Sequence, residues 1–133
     1  MDRNGRSLIE GSGLQSVSHS VSQAGIMAYA DASGDYNPIH LDPEFAAASH
    51  FGRRVAHGMM IAASVSELMA GTFGLEWARS GRMKLRFRAP VFPGDRIETR
   101  GTVRKVEDLG SGRRRVTCKV ETVRCDPFRP APR

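Results

Sequence analysis

The longest stretch with a single period runs from Gly58 to about Phe73, GMMIAASVSELMAGTF, where Met60, Ile61, Ser64, Val65, Leu68 and Met69 recur at mixed spacings of three and four. That spacing predicts a largely buried helix, stopped by Gly71 or by Gly74. A second helical period, Ile26, Tyr29 and Ala30, lies between Ser22, a capping residue, and Gly34, a helix stop, and predicts a helix over 23–33. In GDYNPIHLDP that follows, Pro38 restricts Asn37 to extended geometry, while Asp42 and Pro43 have the chemistry of a cap and a first helical residue. A fixed loop leading into a short helix over 43–49 is the expectation. After Arg79 the period falls to two. Met83, Leu85 and Phe87 alternate with Arg82, Lys84, Arg86 and Arg88, the pattern of a half-buried strand with one wet face. PGD at 93–95 then turns the chain, a strand follows over 96–106, LGSG at 109–112 turns it again, and a third strand runs over 114–124.

Helices followed by strands predict an α+β domain in which a buried helix lies against a curved antiparallel sheet. Residues 1–17 show no clear period and are expected to form an arm or a short edge strand, and DPFRPAPR at the end carries three prolines that bar it from the centre of a ladder. No internal repeat is present. A chain of 133 residues, 40% hydrophobic and 26% charged, has the size and balance of one globular domain over 1–133, which excludes collagen, wholesale disorder and coiled coil. No apolar run approaches the roughly 20 residues that cross a bilayer, and MDRNGRSLIE lacks the apolar core of a secretory signal, so the expected setting is cytosolic and unprocessed. Cys118 and Cys125, seven apart on one strand, fall on opposite faces and are expected to be unpaired structural thiols. Charge is unevenly divided. Residues 1–78 carry four basic side chains against eight acidic ones, and residues 79–133 carry sixteen against six. The basic second half attracts anionic partners as a class, whether nucleic acid, acidic protein, membrane surface or phosphorylated cofactor.

The chemistry concentrates between residues 29 and 58. Asp35 and His40 lie five apart on a backbone stiffened by Asn37 and Pro38, expected to lie outside any regular element. A carboxylate beside an imidazole can hold a water, deprotonate it and return the proton elsewhere, which is what adding water across a double bond requires. Ala56-His57-Gly58-Met59 opens the apolar helix, whose first N–H groups lack intrahelical partners at the positive end of the helix dipole, and Gly58 lets a substrate oxygen come close. An acid–base pair and an oxyanion site are the parts needed to hydrate an α,β-unsaturated thioester. His40, His50 and His57 are spaced by ten and seven, which fits no helical or hairpin ligand pattern, and no metal or other cofactor is expected.

Ser33-Gly34-Asp35-Tyr36-Asn37-Pro38-Ile39-His40, followed by His57-Gly58-Met59, Ser66 and RFRAPVFPGD at 86–95, closely resembles the MaoC-like (R)-specific enoyl-CoA hydratase/dehydratase family over roughly residues 20–124. The resemblance implies a hot-dog fold, a long central helix wrapped by an antiparallel sheet. It also implies a homodimer, or alternatively a heterodimer, that binds acyl-CoA or acyl carrier protein thioesters, with neither nucleic acid nor membrane as partner. By the same resemblance Asp35 and His40 are the catalytic pair, and Gly58 N–H binds the thioester oxygen. Ser66 supports the site, Asn37 holds the loop, and His57 has a structural part. Members of the family usually continue past the strand at 114–124 with a further strand, where this chain has DPFRPAPR, so the sheet is expected to be one strand short.

Blander readings stand beside these. Asp35 serves equally as a turn former, Met59, Met60 and Met69 as core filler, Ser66 as a serine bonded to its own helix, and the arginines of 82–88 as a solvated strand face. A non-catalytic hot-dog subunit that binds acyl thioesters or stabilises a partner is the first rival function. A thioesterase on the same fold and a nucleic-acid binder using the basic strands follow, the last with no recognisable nucleic-acid module in the chain.

Overall fold

A computed structural model describes Asp2 and residues 7–125; the proline-rich tail at 126–133 lies outside the described residues. The elements in chain order are β1 (Val17–Ser20), α1 (Gln23–Ser33), α2 (Pro38–Leu41), α3 (Pro43–Ala47), α4 (Gly58–Phe73), α5 (Leu75–Ser80), β2 (Arg96–Gly110) and β3 (Arg113–Cys125). The architecture is α+β, a long helix with an antiparallel three-stranded sheet in the order β1-β2-β3.

Local chemistry explains most of the boundaries. Ser22 Oγ accepts the Gly25 N–H at 3.0 Å to start α1, and Gly34 ends it in the left-handed region at φ 77°. α4 opens where Met60 and Ile61 donate to the His57 carbonyl, runs through Gly71, and stops at Gly74, whose φ is 63°. Gly94 at φ 96° makes the turn before β2, with the Phe92 N–H held by the Asp95 carboxylate at 2.8 Å. β2 and β3 form a hairpin over residues 111–112, pinned by Thr99 and Thr122 hydroxyls 2.7 Å apart and an Arg100–Glu121 pair at 3.1 Å.

The structure differs from the sequence expectation in five places, the smallest being that β2 runs on from the expected 106 to Gly110. Asn37 and Pro38 start a single helical turn, so His40 stands on α2, a regular element, rather than in a loop. Asn37 Oδ1 accepts from Ile39 N at 3.1 Å and Pro38 occupies the first helical position, where a missing N–H costs nothing. The helix expected over 43–49 ends at Ala47, because Ser49 turns back on Ala46 through both its N–H and its hydroxyl. α5 was not anticipated, being one and a half turns with no side-chain cap and no long apolar period. The segment 82–88, expected as a strand, belongs to no ladder among the described residues, and residues 81–89 are all exposed. Alternation specifies a two-faced extended chain and says nothing of which strand will pair with it.

Two compact units divide the chain. One draws on Met1–Val17, Ser64–Lys84 and Thr99–Thr122. Its core is Val65, Leu68 and Met69 of α4 against Leu14, Val17, Phe73, Trp77, Cys118 and Val120. The arm before β1 runs beside β2, bridged at Gly13–Thr102 and bonded from Gly11 N to Val103 O at 2.8 Å. A cavity of about 420 Å³ in this unit is lined by Leu8, Leu14, Val17, Glu67, Leu68 and Thr72 among others. The second unit draws on Ser18–Ala63, Leu85–Glu98 and the stretch from Val123. Its core is Val21, Ile26, Ala56, Val91 and Ile97, with Leu41, Met60 and Ile61 packed on it. Both cysteines are free, and burial raises the Cys118 thiol above its ordinary range. No helix among the described residues is long and apolar enough to cross a membrane.

Candidate active site

Within the second unit, Asp35, His40 and His57 each present a ligand-type atom within 4.8 Å of the others. Three separate devices bring them there. Gly34 ends α1 and releases Asp35 into a tight turn, in which Asp35 N donates to Ser33 Oγ at 3.2 Å and Asp35 Oδ1 accepts from Asn37 N at 3.1 Å. Asn37 caps α2, which carries His40 one turn on. The extended run Val55–His57 is then laid alongside, with Val55 N bonded to Ile39 O at 3.3 Å and Ala56 N to Val91 O at 2.8 Å.

Both imidazoles have their tautomers set by backbone carbonyls, which can only accept. His40 Nδ1 is 2.8 Å from Val55 O and therefore carries the proton, leaving the Nε2 lone pair available in the neutral ring. His57 Nε2 is 3.0 Å from Asp35 O and carries its proton there, so its buried Nδ1 is a lone pair with no partner among the described residues. The two rings stack with centroids 3.8 Å apart and planes 28° from parallel, and Tyr29 tilts against His57 at 4.7 Å. His57 is 1% exposed, Asp35 is open to solvent, and His40 is half-buried between them. The site thus has a sealed floor and an open carboxylate. Tyr36, next along the turn, donates its hydroxyl to Asp31 at 2.9 Å, and that bond raises its phenol above the usual range.

The N–H of Gly58 is in the first turn of α4, where a helix leaves its amides without internal acceptors. The tip of the Phe87 ring lies beside Gly58. A Cβ built on Gly58 meets Phe87 Cε1 and Cζ at 3.3 Å and Cε2 at 3.5 Å. Ser66 belongs to the first unit, where its Oγ accepts the Trp77 indole N–H at 3.3 Å. The structure therefore gathers Asp35, Asn37, His40 and His57, with Gly58 next in sequence, and gives Ser66 a different partner. His50 is exposed, its ring against Phe51 at 4.0 Å, and takes no part in the cluster.

Asp35, His40 and His57 are the residues whose donor atoms could hold a metal. Ligand spacing along the chain did not suggest this set, because it joins a turn, a helix and an extended run. Two further contributors were not legible beforehand. Gln23 Nε2 donates to His40 O at 2.8 Å and ties α2 to the first turn of α1, and the Val55 carbonyl sets the His40 tautomer. A polar Gln in a first helical turn and a backbone oxygen carry no distinctive signal in sequence.

This α+β fold, with a long helix and an antiparallel sheet, is the hot-dog fold of known hydratases. The solved structure of the (R)-hydratase from A. caviae matches with a TM-score of 0.67 and 31% identity, covering 89% of this chain and 88% of that one. A family model described as a MaoC like domain matches residues 6–124, and the chain belongs to that family. The 3-hydroxyacyl-thioester dehydratase Z of Mycobacterium tuberculosis (strain CDC 1551 / Oshkosh) is 38% identical over 96 residues, 69% of this chain and 64% of that protein. The (R)-specific enoyl-CoA hydratase of Aeromonas caviae is 40% identical over 78 residues, 56% of this chain and 55% of that protein. The chain thus spans less than two-thirds of the length of either curated relative.

Proposed function

We propose that the chain adds water to trans-2-enoyl thioesters of CoA or acyl carrier protein, giving (R)-3-hydroxyacyl thioesters, and runs the reverse dehydration. The observation that carries this is the approach of Asp35 and His40 within 4.8 Å, with the His40 proton held on Nδ1 by Val55 O so that the Nε2 lone pair can serve as a base. The pair holds one water and takes a proton from it as its oxygen bonds to C3. The C2–C3 π electrons move toward C1, and charge builds on the thioester oxygen, which Gly58 N–H receives at the positive end of α4. The same pair returns a proton to C2 as the enolate collapses, so that one water is added and no charge is left over. Addition by a pair on one face is syn and gives one configuration at C3, the (R) one on the precedent of the (R)-specific relatives.

Supporting parts are assigned on the same reading. Asn37 holds α2 through its cap, and His57 holds the Asp35 turn through its N–H and floors the His40 ring. Ser66 supports α4 further along. The exposed row Arg82, Lys84, Arg86 and Arg88 attracts the phosphates of CoA or an acidic carrier. The expected assembly is a dimer, which sedimentation will test. Asp35→Asn and His40→Ala, made separately and assayed on crotonyl-CoA, should each lose about 10² to 10⁴ in kcat, the usual share of a positioned acid–base group. Activity within about threefold of wild type in both variants, on the same scale, overturns the pair. Product of (S) configuration counts against the stereochemistry, and thiol release without hydration identifies a thioesterase.

A further inference from the structure

Phe87 is a large apolar residue with an unusual position. It is 59% exposed, so its ring contributes little to either core, and its backbone belongs to a segment without ladder bonds. Yet the ring is not turned loosely to solvent. Its outer edge, Cζ and the two carbons beside it, lies 3.3 to 3.5 Å from where a Cβ on Gly58 would stand. A methyl at 58 would require the ring to give by a few tenths of an ångström. Glycine at this position therefore answers to two demands at once, access to its N–H and room for the ring.

We propose that Phe87 is a specificity-determining wall of the site: its ring tip, against Gly58, bounds one flank of the thioester carbonyl and excludes acyl groups branched at C2. The inference rests on the hydratase reading and on Gly58 N–H as the receiver of the carbonyl oxygen. An oxygen held on that amide brings the carbonyl carbon, and with it C2, close to the same residue that the ring flanks. A hydrogen on C2 passes the ring edge. A methyl on C2 meets the ring edge and must displace it. One methyl against a closed wall is worth roughly 10- to 200-fold in discrimination. The favoured substrates are then straight-chain or distally branched 2-enoyl thioesters.

The test compares crotonyl-CoA with its C2-methylated counterpart, tiglyl-CoA, in wild type, Phe87→Leu and Phe87→Ala, with circular dichroism to show that each variant folds. Wild type should favour crotonyl-CoA in kcat/KM, and Phe87→Ala should narrow that ratio by about tenfold or more, by gain on tiglyl-CoA, with Phe87→Leu between. A loss of packing alone lowers both substrates together. Gly58→Ala should be poorly active on its own and recover in Gly58→Ala/Phe87→Ala, since the second change removes the atoms its methyl meets. A ratio that stays within about twofold in both Phe87 variants, where one methyl against a wall is worth at least roughly tenfold, overturns the wall. Binding of butyryl-CoA and 2-methylbutyryl-CoA by calorimetry carries the same comparison without turnover. Failure of hydration with discrimination intact therefore condemns the hydratase reading alone, and equal binding of the two ligands by wild type condemns the wall.

Discussion

The run from Asp35 to His57 and the run from Gly81 to Phe92 are both largely irregular, and they end in opposite physical states. In the first, nearly every turn is closed by a named bond: Ser33 Oγ to Asp35 N, Asp35 Oδ1 to Asn37 N, Asn37 Oδ1 to Ile39 N, Ile39 O to Val55 N, and the His57 ring to Asp35 O. In the second, a strong strand pattern leaves residues 82–90 without a ladder, and Met83 and Leu85 are each 40% exposed. Order in a short segment comes from satisfied backbone groups rather than from apolar content. A site that must hold two side chains in register is therefore built on the polar, proline-containing stretch. The greasy alternating stretch supplies one ring at its border.

Substitutions at matched positions sharpen this contrast. His57→Phe keeps a ring under His40 but removes the N–H that Asp35 O accepts, and should cost about 0.5–1.5 kcal/mol in urea unfolding, the usual net worth of one hydrogen bond. It should also lower kcat more than it raises KM, since the carboxylate turn loosens. Asn37→Ala loses the cap of α2 and should cost about 1 kcal/mol, with Asn37→Asp retaining most of it because a carboxylate oxygen still accepts from Ile39 N. Equal losses for Ala and Asp would remove the cap from the account. Met83→Gln, on the unpaired run, should change stability by no more than about 0.5 kcal/mol, and a larger loss would show that this segment is held after all. Smallest of all, Cys118 should react with iodoacetamide more slowly than a free thiol at neutral pH, because burial raises its pKa and leaves less thiolate. Raising the pH speeds the reaction, and urea should abolish the lag.

The hairpin of β2 and β3, α1 with both its caps, and the span of α4 were legible because each is set by nearest neighbours in the chain: Ser22 and Gly34, the three-and-four spacing of Met60 to Met69, the turn glycines at 94 and 112. So was the pairing of Asp35 with His40, since five residues and a proline leave the chain few ways to separate them. The helical turn beneath His40 was less visible, because Asn-Pro serves loops and helix starts alike.

What the linear chain could not decide was everything that depends on a distant partner. His57 comes under His40 only because Val55–His57 is bonded on one side to Ile39 and on the other to Val91. Phe87 meets Gly58 across 29 residues with nothing in its own alternation to announce it. Ser66 turned to Trp77, a residue on a helix that the pattern did not foretell. Periodicity encodes which face of a segment avoids water, and capping chemistry encodes where it starts and stops. The identity of the surface that covers a face is a property of the packed chain, because many surfaces bury the same apolar area and the backbone bonds of neighbouring segments select among them.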